Sequence, residues 1–348
     1  MATALPFDPD GVGIGNGNYF GMPFTADEAA LVLLSVPWDV TVSYGAGTAA
    51  APEALIEAST QLDFYDPAAP DAWRRGIATL PVDAAIRERA QQLRAEACRV
   101  IDCLEQGGAP ETVAAELERV NEGSRRLNAA VESAAAALLD AGRTVGVVGG
   151  DHSVPYGLIR ALGARHEGFG ILHIDAHCDL REAYEGFAYS HASIMYNVLR
   201  DVAAVERIVQ VGVRDFSAAE RRTAEASGRV VQFDGQQLLE ARFGGETWRS
   251  QCARIVAALP PKVYISFDID GLDLPWCPHT GTPVPGGLTY DEAAYLVQQV
   301  AESGRRIIGF DLVEVCPAAA DRTDAIVGAR MLWRLCGQTL RSQYIPEP

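Results

Sequence analysis

Seven short runs of aliphatic residues, separated by helix-like stretches, constrain the fold of this chain more than any other feature. The runs are almost wholly apolar instead of alternating with polar residues, which is typical of strands covered on both faces. The strands they predict are 31–36, 144–148, 168–175, 207–213, 230–233, 263–268 and 306–312. Their alternation with helices predicts an α/β fold, a single-domain parallel β-sheet flanked by helices on both faces.

Helical periodicity fills most of the sequence between these runs. The predicted helices are 51–59, 154–165, 217–227, 245–259, 290–303 and 325–336. An extra helical pair is predicted at about 82–142, broken near 107–110, and it would pack on the sheet edge or on another subunit. The expected organisation is an N-terminal arm over 1–27, one catalytic domain over 28–342 and a C-terminal tail over 343–348.

Three short blocks at or just after predicted strand ends carry six side chains that can bind a metal ion. In order they supply His152, then Asp175, His177 and Asp179, then Asp268 and Asp270. Residues two apart on an extended strand end point to the same side. Ligands of parallel α/β folds collect beyond the carboxyl ends of the strands, so these blocks are expected to meet there.

Carboxylates mixed with imidazoles suit a divalent cation such as Mn²⁺, Ni²⁺, Co²⁺ or Zn²⁺. Two imidazoles and four aspartates exceed the needs of one tetrahedral ion, but they suit two ions about 3.5–4 Å apart that share carboxylates. The pattern therefore predicts a binuclear metallohydrolase. Ser153 is expected to cap the following helix, and Asp151 to orient a loop.

The net charge of −17 argues against nucleic-acid partners and anionic membrane surfaces, and it favours a small cationic substrate. No apolar run reaches the roughly 18–20 residues of a membrane span. The first residues show no secretory signal. Seven scattered cysteines indicate free thiols in a reducing compartment, so a cytoplasmic location is expected.

Four motifs in a fixed order resemble those of the ureohydrolases, the family of arginases, agmatinases, formimidoylglutamases and guanidine hydrolases. They are Gly-Gly-Asp-His-Ser from 149, Asp-Ala-His-x-Asp from 175, Ser-x-Asp-x-Asp-x-x-Asp from 266 and Gly-Thr-Pro-x-Pro-Gly-Gly from 281. The likeness extends from about 31 to 335. It implies an arginase-like fold, two divalent ions per subunit, Ni²⁺ or Mn²⁺, and a homo-oligomer, either a trimer or a hexamer.

The resemblance also implies a role for each matching residue. Asp175 and Asp268 would bridge the ions, His152 and Asp179 would complete one site, and His177 and Asp270 the other. Asp179 would also accept a hydrogen bond from the attacking hydroxide, which releases urea and an amine. His191 would relay protons, and Glu314 would hold the substrate, because a carboxylate can accept two parallel hydrogen bonds from a guanidinium.

The substrate is less constrained than the reaction. The segment 184–191 looks like that of bacterial guanidine hydrolases, and Tyr184, Tyr189 and Trp276 could build a tight aromatic wall suited to guanidine, an N-alkylguanidine or a biguanide. The alternatives are an agmatinase or guanidinobutyrase, or a weakly active subunit that assists a paralogous partner. Metal-dependent deacylation fits poorly, because deacetylases lack this set of ligands.

Overall fold

One parallel β-sheet organises the protein. The computed structural model describes residues 7–343, and its eight strands pair only in parallel, which confirms the predicted architecture. The strands are β1 (Leu31–Val36), β2 (Ile77–Leu80), β3 (Thr144–Gly149), β4 (Phe169–Ile174), β5 (Val205–Val211), β6 (Val230–Phe233), β7 (Lys262–Asp268) and β8 (Arg306–Val313). Their order across the sheet is β2-β1-β3-β8-β7-β4-β5-β6.

Helices cover both faces of the sheet. They are α1 (Ala51–Ser59), α2 (Ala84–Glu105), α3 (Ala114–Asp140), α4 (Tyr156–Gly163), α5 (Ile194–Asp201), α6 (Ala218–Ser227), α7 (Gly235–Phe243), α8 (Trp248–Ala257), α9 (Tyr290–Glu302) and α10 (Thr323–Ser342). Alternate residues of β4 enter different cores: Leu172 and Ile174 lie in one hydrophobic cluster, Phe169 and Ile171 in the other. Each buried aliphatic side chain contributes about 1.5–3 kcal/mol, so both faces stabilise the strand.

The predicted helical pair is present as α2 and α3, with the break at Gly107–Gly108 as expected. Helix α3 packs against α4, a helix that covers the sheet. The approach is close, because a Cβ atom on Gly157 would lie 2.5 Å from the main-chain oxygen of Asn128. The pair therefore forms an outer layer on α4, and Asn121 of α3 forms hydrogen bonds with Gly186 and Ala188 in the segment that follows β4.

The arm is described from Phe7 onward; residues 1–6 and 344–348, including most of the predicted tail, lie outside the described residues. Between Phe7 and residue 27 the only helical turn is the 3-10 turn Tyr19–Gly21. The Tyr19 hydroxyl lies in a hydrogen bond with Ser35 Oγ at 2.8 Å, which fixes the arm to β1. Over residues 7–343, no helix is long and apolar enough to span a bilayer.

Candidate active site

The candidate site lies at the carboxyl ends of four adjacent central strands. In the order β3, β8, β7 and β4, these strands lead to His152, Glu314, Asp268 and Asp175. The strands are neighbours in the sheet although they are distant in sequence. Topology therefore brings the three predicted blocks together, along with Glu314 from a fourth segment.

His152 is at the centre of the first group of ligands. Its Nδ1 lies 2.9 Å from Asp175 Oδ2, 3.0 Å from Asp179 Oδ2 and 3.2 Å from Asp268 Oδ2. The other ring nitrogen, Nε2, is 2.8 Å from Ser266 Oγ, which orients the imidazole. All three carboxylates are buried, so they converge where water does not screen their repulsion.

A second group lies beside the first and shares one residue with it. His177 Nδ1 is 3.0 Å from Asp270 Oδ2 and 3.5 Å from Asp175 Oδ1. Asp175 Oδ1 also accepts a hydrogen bond from the His177 main-chain nitrogen at 2.6 Å. Because Oδ2 of Asp175 faces His152 and Oδ1 faces His177, this carboxylate belongs to both groups.

The electrostatics of the cluster favour bound positive charge. Burial lowers the pKa of His177, but the nearby Asp270 and Asp175 outweigh burial and raise it to about 12. Burial, together with Asp175, raises the pKa of Asp179 to about 6. The clustered carboxylates are thus costly to ionise without a cation, and a metal ion would supply positive charge there in place of protons.

His191 lies on the same side of the site as His177. Burial and the positive charges on His177 and His152 lower the pKa of His191 to about 4, so its imidazole is neutral near pH 7. Its Nδ1 is buried and has no hydrogen-bond partner in the described part of the chain. A neutral imidazole with a free nitrogen can accept a proton and pass it on.

Two acidic residues of the site have left-handed backbone conformations. Asp179 has φ of 54° and Glu314 has φ of 60°, which is uncommon for residues other than glycine and is often found at functional sites. Glu314 is held from several sides: its Oε1 accepts the His152 N–H at 2.8 Å, and its carbonyl accepts the Thr280 hydroxyl at 2.7 Å. Burial and nearby Asp151 hold the pKa of Glu314 well above its usual range.

A cavity of about 460 Å³ opens over the cluster. Tyr184 lines it, with its ring centroid 6.1 Å from that of His191. Tyr189 and Trp276, predicted as further parts of an aromatic wall, are not among the lining residues: Tyr189 packs on Tyr156, and Trp276 on Tyr290. The residues that line the cavity include Tyr44, His177, Asp179, Arg181, Tyr184, His191, Asp215, Glu220 and 282–284.

Two charged residues near the cavity were not found by sequence reasoning. The guanidinium of Arg181 lies 5.1 Å from the Tyr184 ring centroid and 3.6 Å from Glu220. Arg214 donates hydrogen bonds to main-chain oxygens on both sides of the site, including those of Asp270 and Val284. Neither arginine belongs to a local motif, since each is identified only by contacts between distant segments.

The comparisons with known proteins agree with this geometry. The model of the arginase family matches residues 29–337. The N(1)-aminopropylagmatine ureohydrolase of Thermus thermophilus is 32% identical over 298 residues, with 84% of each chain covered. This chain belongs to the arginase family.

Two further proteins are similar to this chain, one in sequence over part of its length and one in fold. A guanidinobutyrase of Pseudomonas aeruginosa is 33% identical over 199 residues, which cover 54% of this chain and 58% of that protein. The agmatine ureohydrolase of Thermoplasma volcanium shares the fold with a TM-score of 0.71 at 22% identity, over 93% of this chain and 94% of that one. As an arginase-family ureohydrolase, the protein hydrolyses C–N bonds of guanidino compounds.

Members of this family use two divalent metal ions, and the donor set here fits such a pair. Buried carboxylates converge on two imidazoles, and Asp175 offers one oxygen to each group. Both Mn²⁺ and Ni²⁺ accept oxygen and imidazole donors of this kind. When bound, a metal pair supplies Lewis-acid activation of a water molecule.

Proposed function

We propose that this protein hydrolyses a small cationic guanidino compound to urea and an amine or ammonia, with guanidine, a short N-alkylguanidine or a biguanide as the favoured substrate. The observation that carries the proposal is the shared carboxylate of Asp175, between two groups of ligands beside an open cavity. Within the proposal, His152, Asp175, Asp179 and Asp268 would hold one ion, and His177, Asp270, Asp175 and Asp268 would hold the other.

Glu314 is proposed to bind the guanidinium group. Its carboxylate is buried, and among the described residues one of its two oxygens, Oε1, accepts a hydrogen bond from the His152 N–H. A planar guanidinium could donate to the remaining acceptor positions, and its permanent charge would stabilise the ionised carboxylate. Thr280 holds the main chain of Glu314 and so fixes the direction of the side chain.

Proton movement is assigned to Asp179 and His191. Asp179 would accept a hydrogen bond from the attacking water and orient it toward the guanidinium carbon. The departing nitrogen needs a proton to leave as an amine, and the neutral imidazole of His191 lies on the cavity wall where it can relay one. Tyr184 covers His191 and would limit the entry of bulk water to this relay.

The charge on the cavity wall bears on the choice of substrate. Arg181 covers Tyr184 and places a cation where a second positive charge on the substrate would be repelled, which supports guanidine or an alkylguanidine. Asp215 on the same wall is exposed and could instead form an ion pair with the amine of agmatine. Arg181 itself could pair with a carboxylate tail such as that of guanidinobutyrate. The names of the relatives favour these alternatives.

The test is urea release after reconstitution with Mn²⁺ or Ni²⁺, measured on guanidine, methylguanidine, dimethylguanidine, dimethylbiguanide, agmatine, guanidinobutyrate and arginine. Turnover of the compounds without a charged tail is expected to be fastest. Preference for agmatine or guanidinobutyrate would replace the favoured substrate with an alternative. If no compound is hydrolysed with metal bound, the role of a weakly active subunit that assists a paralogous partner gains support. Co-purification would then test for that partner, in place of the proposed homo-oligomer (a trimer or hexamer).

A further inference from the structure

A ladder of polar side chains runs across three strands directly behind Asp175. His173 of β4 is paired in register with Gln210 of β5, and Gln210 is paired with Gln232 of β6. The side chains of His173 and Gln210 are fully buried, so every polar atom in them needs a partner. Such a ladder in an otherwise apolar sheet core is costly unless its hydrogen bonds are all satisfied.

The hydrogen bonds fix the orientation of the Gln210 amide. One atom of this amide lies 2.7 Å from the main-chain oxygen of Cys178, and because a carbonyl oxygen can only accept, that atom is the nitrogen Nε2. The amide oxygen accepts a hydrogen bond from Gln232 Nε2 at 2.9 Å, which is consistent with the same orientation. The second N–H of Gln210 then faces His173 Nδ1 at 3.0 Å.

This orientation determines which ring nitrogen of His173 carries the proton. Since Nδ1 accepts from Gln210, a neutral His173 has its hydrogen on Nε2. That nitrogen lies 2.7 Å from Asp175 Oδ2. His173 therefore donates a hydrogen bond to the carboxylate, and its Nε2 has no lone pair left for a metal ion.

We infer that His173 is a positioning residue, which orients the shared carboxylate Asp175 and does not itself bind metal. Distance alone would allow a third imidazole ligand, because donor atoms of His173, His152, Asp175 and Asp179 all lie within 4.8 Å of one another. The ladder instead makes His173 a hydrogen-bond donor that keeps Asp175 Oδ2 turned toward His152 and Oδ1 toward His177. The inference rests on the metal centre of the proposed function.

The test compares two substitutions of His173 with one of Gln210. His173→Gln keeps an N–H near the position of Nε2 but offers no imidazole, whereas His173→Leu removes the donor. Gln210→Leu leaves His173 in place but removes the amide that donates to its Nδ1 and so keeps the hydrogen of the imidazole on Nε2. His166→Gln, at a half-buried site away from the cluster, is the matched control for the loss of a histidine.

Two readouts are needed besides activity: the dissociation constant for Mn²⁺ or Ni²⁺, from competition with a chelator, and the number of imidazole ligands, from X-ray absorption of the metal-loaded proteins. The loss of a hydrogen bond to a ligand typically weakens metal binding by about 10–100-fold. We expect this loss in His173→Leu and Gln210→Leu, and largely restored affinity in His173→Gln. The count of imidazole ligands should be the same in His173→Gln as in the wild type.

The inference is overturned if His173→Gln loses an imidazole ligand, or if it binds metal as weakly as His173→Leu. Unchanged affinity in both His173→Leu and Gln210→Leu also overturns it. If His173→Leu does not fold, His173→Gln and Gln210→Leu decide the question alone. A wild-type chain that binds fewer than two ions would instead remove the metal centre of the proposed function, which is a separate and distinguishable result.

Discussion

The guanidinium of Arg214 donates a hydrogen bond to the main-chain oxygen of Asp270 at 2.8 Å, so an arginine outside the ligand cluster holds the segment that carries a proposed ligand. The same side chain donates to the carbonyl oxygens of Val284 and Pro285, which belong to the loop on the cavity wall. One rigid fork of donors thus connects the second group of ligands to the substrate cavity.

Replacing Arg214 with lysine should therefore affect both stability and binding. A lysine ammonium keeps the charge but cannot reach carbonyls on both segments at once. We expect Arg214→Lys to destabilise the fold by about 2 kcal/mol or more, given that a hydrogen bond from a charged group contributes about 1.5–3 kcal/mol. We also expect it to raise KM. Thermal unfolding and steady-state kinetics measure the two effects, with exposed Arg207→Lys as the control. Equal stability and equal KM in the two variants would contradict a role of the Arg214 guanidinium in connecting the two segments.

Asn121 of α3 should control substrate binding from outside the cavity. Its side chain donates to Gly186 O at 3.2 Å and accepts from Ala188 N at 2.9 Å, which fixes the tight turn that carries Tyr184. Since two neutral hydrogen bonds contribute about 1–3 kcal/mol in total, Asn121→Ala should raise KM by about fivefold or more.

The metal content and kcat of Asn121→Ala should change much less than KM. Asp102→Ala, on the exposed side of α2, serves as the control on the same helical pair. A fall in metal content without a change in KM would show that Asn121 supports the cluster and not the turn.

Glu314→Gln should weaken catalysis without disturbing the backbone. The amide oxygen of glutamine can still accept the His152 N–H, but the charge that would pair with the guanidinium is lost. A charge-assisted hydrogen bond is worth about 1.5–3 kcal/mol, so kcat/KM should fall at least about tenfold. Exposed Glu105→Gln is the control. Unchanged kinetics in Glu314→Gln would remove Glu314 from the binding site.

His279 should make stability depend on pH. Its Nδ1 lies 2.7 Å from Asp324 Oδ2, and this hydrogen bond raises the pKa of His279. Because the pKa in the folded state is above the unfolded value of about 6.5, the stabilisation is complete below that pH and is lost as pH rises through the folded pKa. His279→Gln should thus lower Tm at pH 6 more than at pH 9.

His166→Gln is the control, because its change in Tm should depend on pH in the opposite direction. Both variants are melted with a chelator present. Burial lowers the pKa of His166, so protonation favours the unfolded state, and removing this histidine should help stability at low pH relative to high pH. A Tm difference for His279→Gln that does not vary between pH 6 and pH 9 would rule out the ion pair as its source.

The sequence predicts the sheet well, because long strands covered on both faces are continuous apolar runs. Strand β2 is not predicted, since it has four residues, two of them only half-buried, and lies at the edge of the sheet. Helices α5 and α7 are also missed. Helix α7 does carry a start signal in the sequence, because the side chain of Asp234 accepts a hydrogen bond from the Gln237 N–H as a helix cap.

The residues of the site likewise include some that the sequence predicts and some that it does not. The six proposed ligands can be predicted because they cluster locally at or past strand ends. His173 is also two residues from a ligand, Asp175, but it lies inside an apolar strand, where the pattern predicts a core residue. Asn121 and Arg214 act on residues 56 to 71 positions away, so no local pattern could reveal them. Tyr189 and Trp276 lie near the motifs in sequence, but sequence does not specify which way a side chain points.

The most direct test of the binuclear ureohydrolase is urea release measured as Mn²⁺ or Ni²⁺ is added stepwise to metal-free protein, in the wild type and in Asp270→Asn. Wild-type activity should saturate at two ions per chain, and Asp270→Asn should bind one ion fewer and release no urea while keeping its fold. Saturation at a single ion, or full activity in Asp270→Asn, would rule out a binuclear centre.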